Sequence, residues 1–167
     1  MDNLVDIVIE EPLWEEAGLE DISERATRAV LEELGLPTEG YLVVVMGCDD
    51  ERIATLNADF RGKPKPTNVL SWPSEERAPE VAGDMPDLPE AGDADDPEEL
   101  GDIAIAWGVC QAEAKEQDKS FEAHVTHLVC HGVLHLLGFD HMTEEDATLM
   151  EGIEIRALAR LGLENPY

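Results

Sequence analysis

Basic side chains are scarce in this chain of 167 residues: 11 Lys and Arg stand against 39 Asp and Glu, a formal net charge of −28. Phosphate binding relies on Lys and Arg releasing counterions, so any nucleic-acid role depends on where the few cations sit. Whole-chain charge governs solubility and steering and does not set the character of one cleft. Long hydrophobic runs are missing too. The apolar run 41–46 stops at Gly47, far short of the ~20 residues a membrane-crossing helix needs. No basic residue precedes an apolar run in Met1-Asp2-Asn3-Leu4-Val5-Asp6, so no signal peptide is expected. Cysteine is limited to Cys48, Cys110 and Cys130, an odd, widely spaced set that fits a reduced compartment better than a disulfide framework. These absences point to the cytoplasm and to no membrane partner.

What is present suffices for a folded unit. Hydrophobic residues make up 43% of the chain, and the length suits one domain, 1–167, since domains commonly hold ~100–150 residues. Val5, Ile7 and Ile9 alternate over 3–9, a strand signal. Ile22, Ala26, Ala29, Val30 and Leu34 recur at helical spacing over 20–34, followed by the stop signals Gly35 and Pro37. The run 41–48 reads as a buried strand. Asp49, Asp50 and Glu51 open a short helix, with acids where the helix dipole favours them, and Gly62 ends it. Segments 67–72 and 102–107 are two further strands. Between them, 75–99 holds eleven acids, one arginine and four prolines, a composition that packs no core and predicts a mobile, solvated acidic insertion. Helices are expected at 108–117, 120–137 and 143–161, the last capped by Thr143 with Asp146 as its capping-box partner. The pattern predicts an α+β fold, a mixed sheet of about four strands packed against helices.

Four of the five histidines, His124, His127, His131 and His135, share one predicted helix. At about 100° per residue they fall on one face, with His131 and His135 one turn apart. Gly138 takes positive φ at little cost and ends the helix, which turns the chain so that His141 returns toward the pair. Three neutral imidazoles leave a tetrahedral ion one open position, the pattern of catalytic rather than structural zinc. Cys130 points elsewhere on the helix and is excluded as a fourth ligand. His124 and His127 are read as polar groups lining the cleft wall, His127 also as a residue supporting the ligands from behind. The spacing equals the metzincin protease motif H-E-x-x-H-x-x-G-x-x-H. The glutamate that acts as general base in those proteases is replaced here by Gly132, which cannot accept a proton.

Three of the eleven cations, Arg61, Lys63 and Lys65, lie within five residues, the one basic patch of an acidic chain and suited to phosphate oxygens. With Asn57-Ala58-Asp59-Phe60-Arg61, Pro66-Thr67-Asn68-Val69-Leu70-Ser71, Leu100-Gly101-Asp102-Ile103 and the segment from His131 to His141, the chain resembles the YbeY family, whose members are single-strand-specific endoribonucleases of ribosomal RNA maturation and ribosome quality control. The resemblance implies one Zn²⁺ held by His131, His135 and His141, a catalytic Arg61, and a zincin-like α+β fold. It also implies action on single-stranded rRNA in 16S rRNA 3′-end maturation. The implied partners are the ribosomal small subunit, a small-subunit ribosomal protein and the GTPase Era. Asn68 stands where the family usually has aspartate, Trp72 where phenylalanine is common and Phe139 where tyrosine is common. The missing carboxylate at Asn68 assigns that loop no acid–base role.

The chemistry expected is metal-assisted cleavage of an RNA phosphodiester, with Arg61 and the flanking Lys63 and Lys65 binding substrate. Asp140 is placed behind the ligands, orienting an imidazole. A chain at −28 holds free RNA weakly, so delivery by ribosomal context is expected. Two alternatives share the ligand frame: a metallopeptidase, and a non-catalytic ribosome-assembly factor with structural zinc.

Overall fold

The structure, a computed structural model, describes residues 4–167; the expected strand start at Asn3 lies outside the described residues. Burial in β1 (Val5–Ile9) alternates, with Val5 inward and Asp6 and Val8 outward, as a period of two requires. It pairs in parallel with β2 (Tyr41–Cys48). A parallel pair needs a crossover, supplied by α1 (Leu13–Glu16) and the amphipathic α2 (Leu19–Glu33). The four-residue α1 is too short for periodicity to reveal. It is held by Trp14, fully buried, whose indole N–H donates to the Cys48 carbonyl at 3.0 Å.

After β2, Asp49 caps α3 (Asp50–Arg61) by accepting the Arg52 N–H, and Gly62 ends it. Next come β3 (Val69–Pro73) and β4 (Glu98–Ala106). β4 lies parallel to β2 and antiparallel to β3, in the order β1-β2-β4-β3. The sheet is four-stranded and mixed, as expected. Its two faces are separate. Val43, Val45, Ile103 and Ile105 point into the main core with α2, α5 (Phe121–Leu136) and α6 (Glu144–Arg160). Ala104 and Ala106 point the other way, onto Ile53 of α3. α4 (Trp107–Glu116) begins where β4 ends.

Boundaries of the last two strands differ from expectation: β3 runs from Val69 to Pro73 rather than over 67–72. The last strand begins at Glu98 rather than Asp102, so Glu98 and Glu99 leave the acidic segment and pair with Tyr41 and Leu42. Their charge disguised a strand end. The register then shifts, passing over Leu100, and Gly101 resumes it at φ +140, where a Cβ would run into the Trp72 carbonyl oxygen. Trp107 belongs to α4, not to the strand.

The rest of the acidic segment has no helix or strand and is fastened at several points. The Arg77 side chain is only 5% exposed. Its guanidinium donates to the carbonyls of Leu136 at 2.8 Å and Leu100 at 3.4 Å, and to Ser74 Oγ at 3.1 Å. Tyr41 Oη donates to the Pro89 carbonyl at 2.7 Å. The Gly92 N–H donates to the Gly40 carbonyl at 2.9 Å. The Gly83 N–H donates to Asp146 Oδ1 at 2.8 Å. This last bond corrects the expected capping box: Thr143 Oγ accepts the Asp146 N–H at 3.1 Å, but the Asp146 carboxylate serves Gly83 instead.

Candidate metal centre

Ser120 caps α5 by accepting the Ala123 N–H at 3.1 Å. Val125, Val129, Val133 and Leu136 anchor the helix in the core, which leaves His127, His131 and His135 along the cleft. At its end Gly138 adopts φ +104, and a Cβ there would stand 2.6 Å from the Arg77 carbonyl oxygen. Only glycine suits both demands. The chain then folds back, the Phe139 N–H donating to the Leu134 carbonyl at 3.0 Å. Asp140 Oδ1 accepts the His141 N–H at 2.7 Å. Among the described residues Asp140 therefore bonds backbone, holding the turn rather than an imidazole. The His141 ring comes to rest 5.3 Å from that of His131 and 5.1 Å from that of His135, centroid to centroid.

Hydrogen bonding on the far side of each ring decides what the near side offers. His135 Nδ1 lies 3.0 Å from the Phe139 carbonyl, and His131 Nδ1 lies 3.4 Å from Glu154 Oε2. Both partners only accept, so both Nδ1 atoms carry the proton in neutral rings and both Nε2 atoms carry lone pairs. Those two Nε2 atoms face each other at 3.0 Å. Burial, then the neighbouring His131 and His141, pushes the His135 pKa down to about 4, which keeps that ring neutral. Two lone pairs this close, with a third imidazole donor within 4.8 Å, suit a cation between them. The residues fit a metal ion.

Behind the cluster stands Glu154, which the sequence alone did not single out. It is fully buried on α6. Burial opposes its ionisation, but the neighbouring His127 and His131 outweigh that and pull its pKa down to about 2. His127 Nε2 sits 2.5 Å from Glu154 Oε1, off the line of the ring N–H, so both atoms lack an aligned partner. Tyr167 Oη donates to Oε2 at 2.9 Å. The available signal was positional: Glu154 shares the buried stripe of Met150, Ile153, Ala157 and Leu158, and a carboxylate among such residues needs partners. Glu154→Gln preserves shape while removing charge. Its expected result is a metal affinity lower by ~10–100-fold, read by competition with a chelating indicator, with the circular dichroism spectrum unchanged.

His124 is separate from the cleft. Its Nε2 lies 2.9 Å from Glu113 Oε1 while Nδ1 has no partner, so only one of its nitrogens is satisfied. Glu113 also accepts from Asn68 Nδ2 at 3.0 Å, fixing the loop that lines the opposite wall. Cys130 is fully buried against the Ala26 carbonyl, away from the ligands. Burial pushes the Cys48 thiol up to about 12 and raises Cys110 and Cys130 as well.

The cleft, about 490 Å³, runs between the edge strand β3 and α5. Arg61, in the last turn of α3, reaches it from the wall facing the histidines, together with Asn68 and Ser71. Among the described residues Arg61 forms no ion pair, whereas Arg25, Arg52, Arg77, Arg156 and Arg160 each do. Lys63 and Lys65 are exposed beyond the cleft lining. The structure brings together Arg61, His127, Asp140 and the three histidines, and leaves the two lysines outside.

Structural metal knots close all four positions with protein ligands; here three imidazoles converge beneath an open cleft faced by an unpaired arginine, the arrangement of a metal-dependent hydrolase. The family description Endoribonuclease YbeY matches residues 8–162. The chain belongs to the YbeY family. It is 59% identical over 167 residues to the endoribonuclease YbeY of Cereibacter sphaeroides, covering 100% of both chains. It is 52% identical to that of Dinoroseobacter shibae, over 98% of this chain and 90% of the relative. With the Paracoccus denitrificans protein it shares 54% identity, over 98% of this chain and 89% of the relative. The solution structure of a Thermotoga maritima protein shares the fold, with a TM-score of 0.55 at 24% identity, over 95% of this chain and 91% of that one. Among the described residues no helix is long and apolar enough to cross a membrane.

Proposed function

We propose that this chain, as one catalytic unit over 1–167, is a zinc-dependent, single-strand-specific endoribonuclease. It acts in the cytoplasm, in 16S rRNA 3′-end maturation and ribosome quality control. The observation that carries the reading is the pair of Nε2 lone pairs facing each other at 3.0 Å beneath an open cleft. His131, His135 and His141 hold the ion, and an all-imidazole set with an open position suits zinc. Bound there, zinc supplies Lewis acidity toward a phosphoryl oxygen.

The remaining work falls to the chain's own groups. Arg61 sits across the cleft with all its donors free of carboxylates, placed to bind a phosphate and to neutralise charge that grows on it. Glu154 and the Phe139 carbonyl hold two ligand rings in the tautomer that exposes Nε2. Asp140 holds the turn that presents His141. Lys63 and Lys65 extend the positive rim along which an RNA backbone approaches. Among the side chains lining the cleft Asp140 offsets Arg61, so a bound cation adds most of the local attraction for phosphate. That local balance, within a chain at −28, supports delivery of single-stranded rRNA on the small subunit by protein contacts, with a small-subunit ribosomal protein and the GTPase Era as the partners proposed. The peptidase alternative is disfavoured at Gly132, which offers no base and packs α5 onto Ile103.

The test is cleavage of matched single-stranded and duplex RNA by metal-loaded protein, combined with mapping of 16S rRNA 3′ ends in cells lacking the chain. Cutting of the single strand alone, abolished by a chelator and restored by zinc, with unprocessed ends in the cells, is the expected result. Correct ends in those cells, or RNA cleavage indifferent to the chelator, would sink the proposal.

A further inference from the structure

Tyr167 occupies a place that core packing does not explain. The residue is 59% exposed, yet it is held at three points. Its hydroxyl donates to the fully buried Glu154, its N–H donates to Asn165 Oδ1 at 2.9 Å, and the preceding Pro166 carbonyl accepts from Lys119 Nζ at 3.4 Å. The perpendicular ring of His127 flanks it, 5.6 Å between centroids. Tyr167 lines the same cleft as Arg61 and the histidines. One carboxylate separates its hydroxyl from a ligand ring, since Glu154 Oε2 also lies 3.4 Å from His131 Nδ1.

We propose that Tyr167 is the platform of a nucleobase subsite, on which one unpaired base of the substrate stacks while the adjoining phosphate lies between Arg61 and the three histidines. The subsite rests on the ribonuclease reading and deepens it. An aromatic ring fixed in advance loses little freedom when a base settles on it. Stacking accepts any base because every base has a π-face, and a base inside a duplex has none to offer. A rigid, exposed ring beside a phosphate site thus provides a physical source for single-strand preference without reading sequence.

The experiment uses the full-length, zinc-loaded protein and a short single-stranded RNA carrying 2-aminopurine at successive positions, with Tyr167→Ala, Tyr167→Leu and Tyr167→Phe. At one position, 2-aminopurine fluorescence is quenched on binding to the wild type, and an abasic nucleotide there weakens binding. Tyr167→Ala raises KM by about five- to hundredfold, the range that lost base stacking covers, and the loss falls on KM more than on kcat. Tyr167→Leu resembles alanine, and Tyr167→Phe loses less than either because the ring remains. Against Tyr167→Ala, the abasic substitution no longer matters. The proposal is overturned if Tyr167→Ala leaves KM unchanged or lowers it, or if Tyr167→Phe loses as much as alanine, which would make the hydroxyl a structural tie. A wild-type protein that binds and cuts no single-stranded RNA would instead overturn the ribonuclease reading itself.

Discussion

Replacing His135 with alanine is expected to leave the protein folded but unable to retain its metal, and to abolish RNA cleavage with it. The substitution removes one of the two Nε2 atoms that face each other at 3.0 Å, leaving two imidazoles where three converged. Loss of a group that merely supports a ligand costs ~10–100-fold in metal affinity; loss of the ligand itself exceeds that. The structural cost is smaller. His135 gives up one hydrogen bond, to the Phe139 carbonyl, worth roughly 0.5–1.5 kcal/mol, while the apolar side of α5 stays packed. Metal-to-protein ratio after dialysis, measured beside a thermal melt, checks this. A variant that keeps a full equivalent of metal would remove His135 from the ligand set.

Arg61→Ala separates the chemistry from the metal. Arg61 contacts none of the three imidazoles through any hydrogen bond or ion pair among the described residues, and its side chain is exposed at the end of α3. Metal content and melting temperature are therefore expected to stay at wild-type values. Cleavage is expected to slow by about 10²–10³ in kcat, the effect of removing one preorganised donor from a developing anion. Arg61→Lys should recover only part, because an ammonium restores the charge without the planar fork. Single-turnover cleavage on saturating RNA is the measurement. A kcat within a factor of about three of wild type, well short of that donor's worth, would take Arg61 out of the reaction.

The parts legible in the sequence were those written in local spacing. The turn between His131 and His135, the glycine at 138 and the return of His141 follow from helix geometry alone, and the 41–48 strand from the apolar run 41–46 at its heart. What stayed hidden depends on contacts between segments far apart in the chain. Glu154 reads as one acid among 39 until α6 packs on α5 and buries it. Tyr167 is tied to the cleft through that same carboxylate, from a position far along the chain. Arg77 looks like a stray cation in an acidic stretch, yet its bonds reach the ends of β4 and α5. Glu98 and Glu99 carry charges that mask a strand whose inward residues begin at Leu100.

The anchoring of Arg77 ties the outer decoration of the molecule to its working parts. Its carbonyl oxygen presses against Gly138 and its guanidinium clasps the last carbonyl of α5, so this excursion buttresses the bend from which His141 hangs. An engineer wishing to trim the acidic excursion for crystallisation could shorten its tip. Excising it from the root would knock out the wedge that keeps the bend in shape.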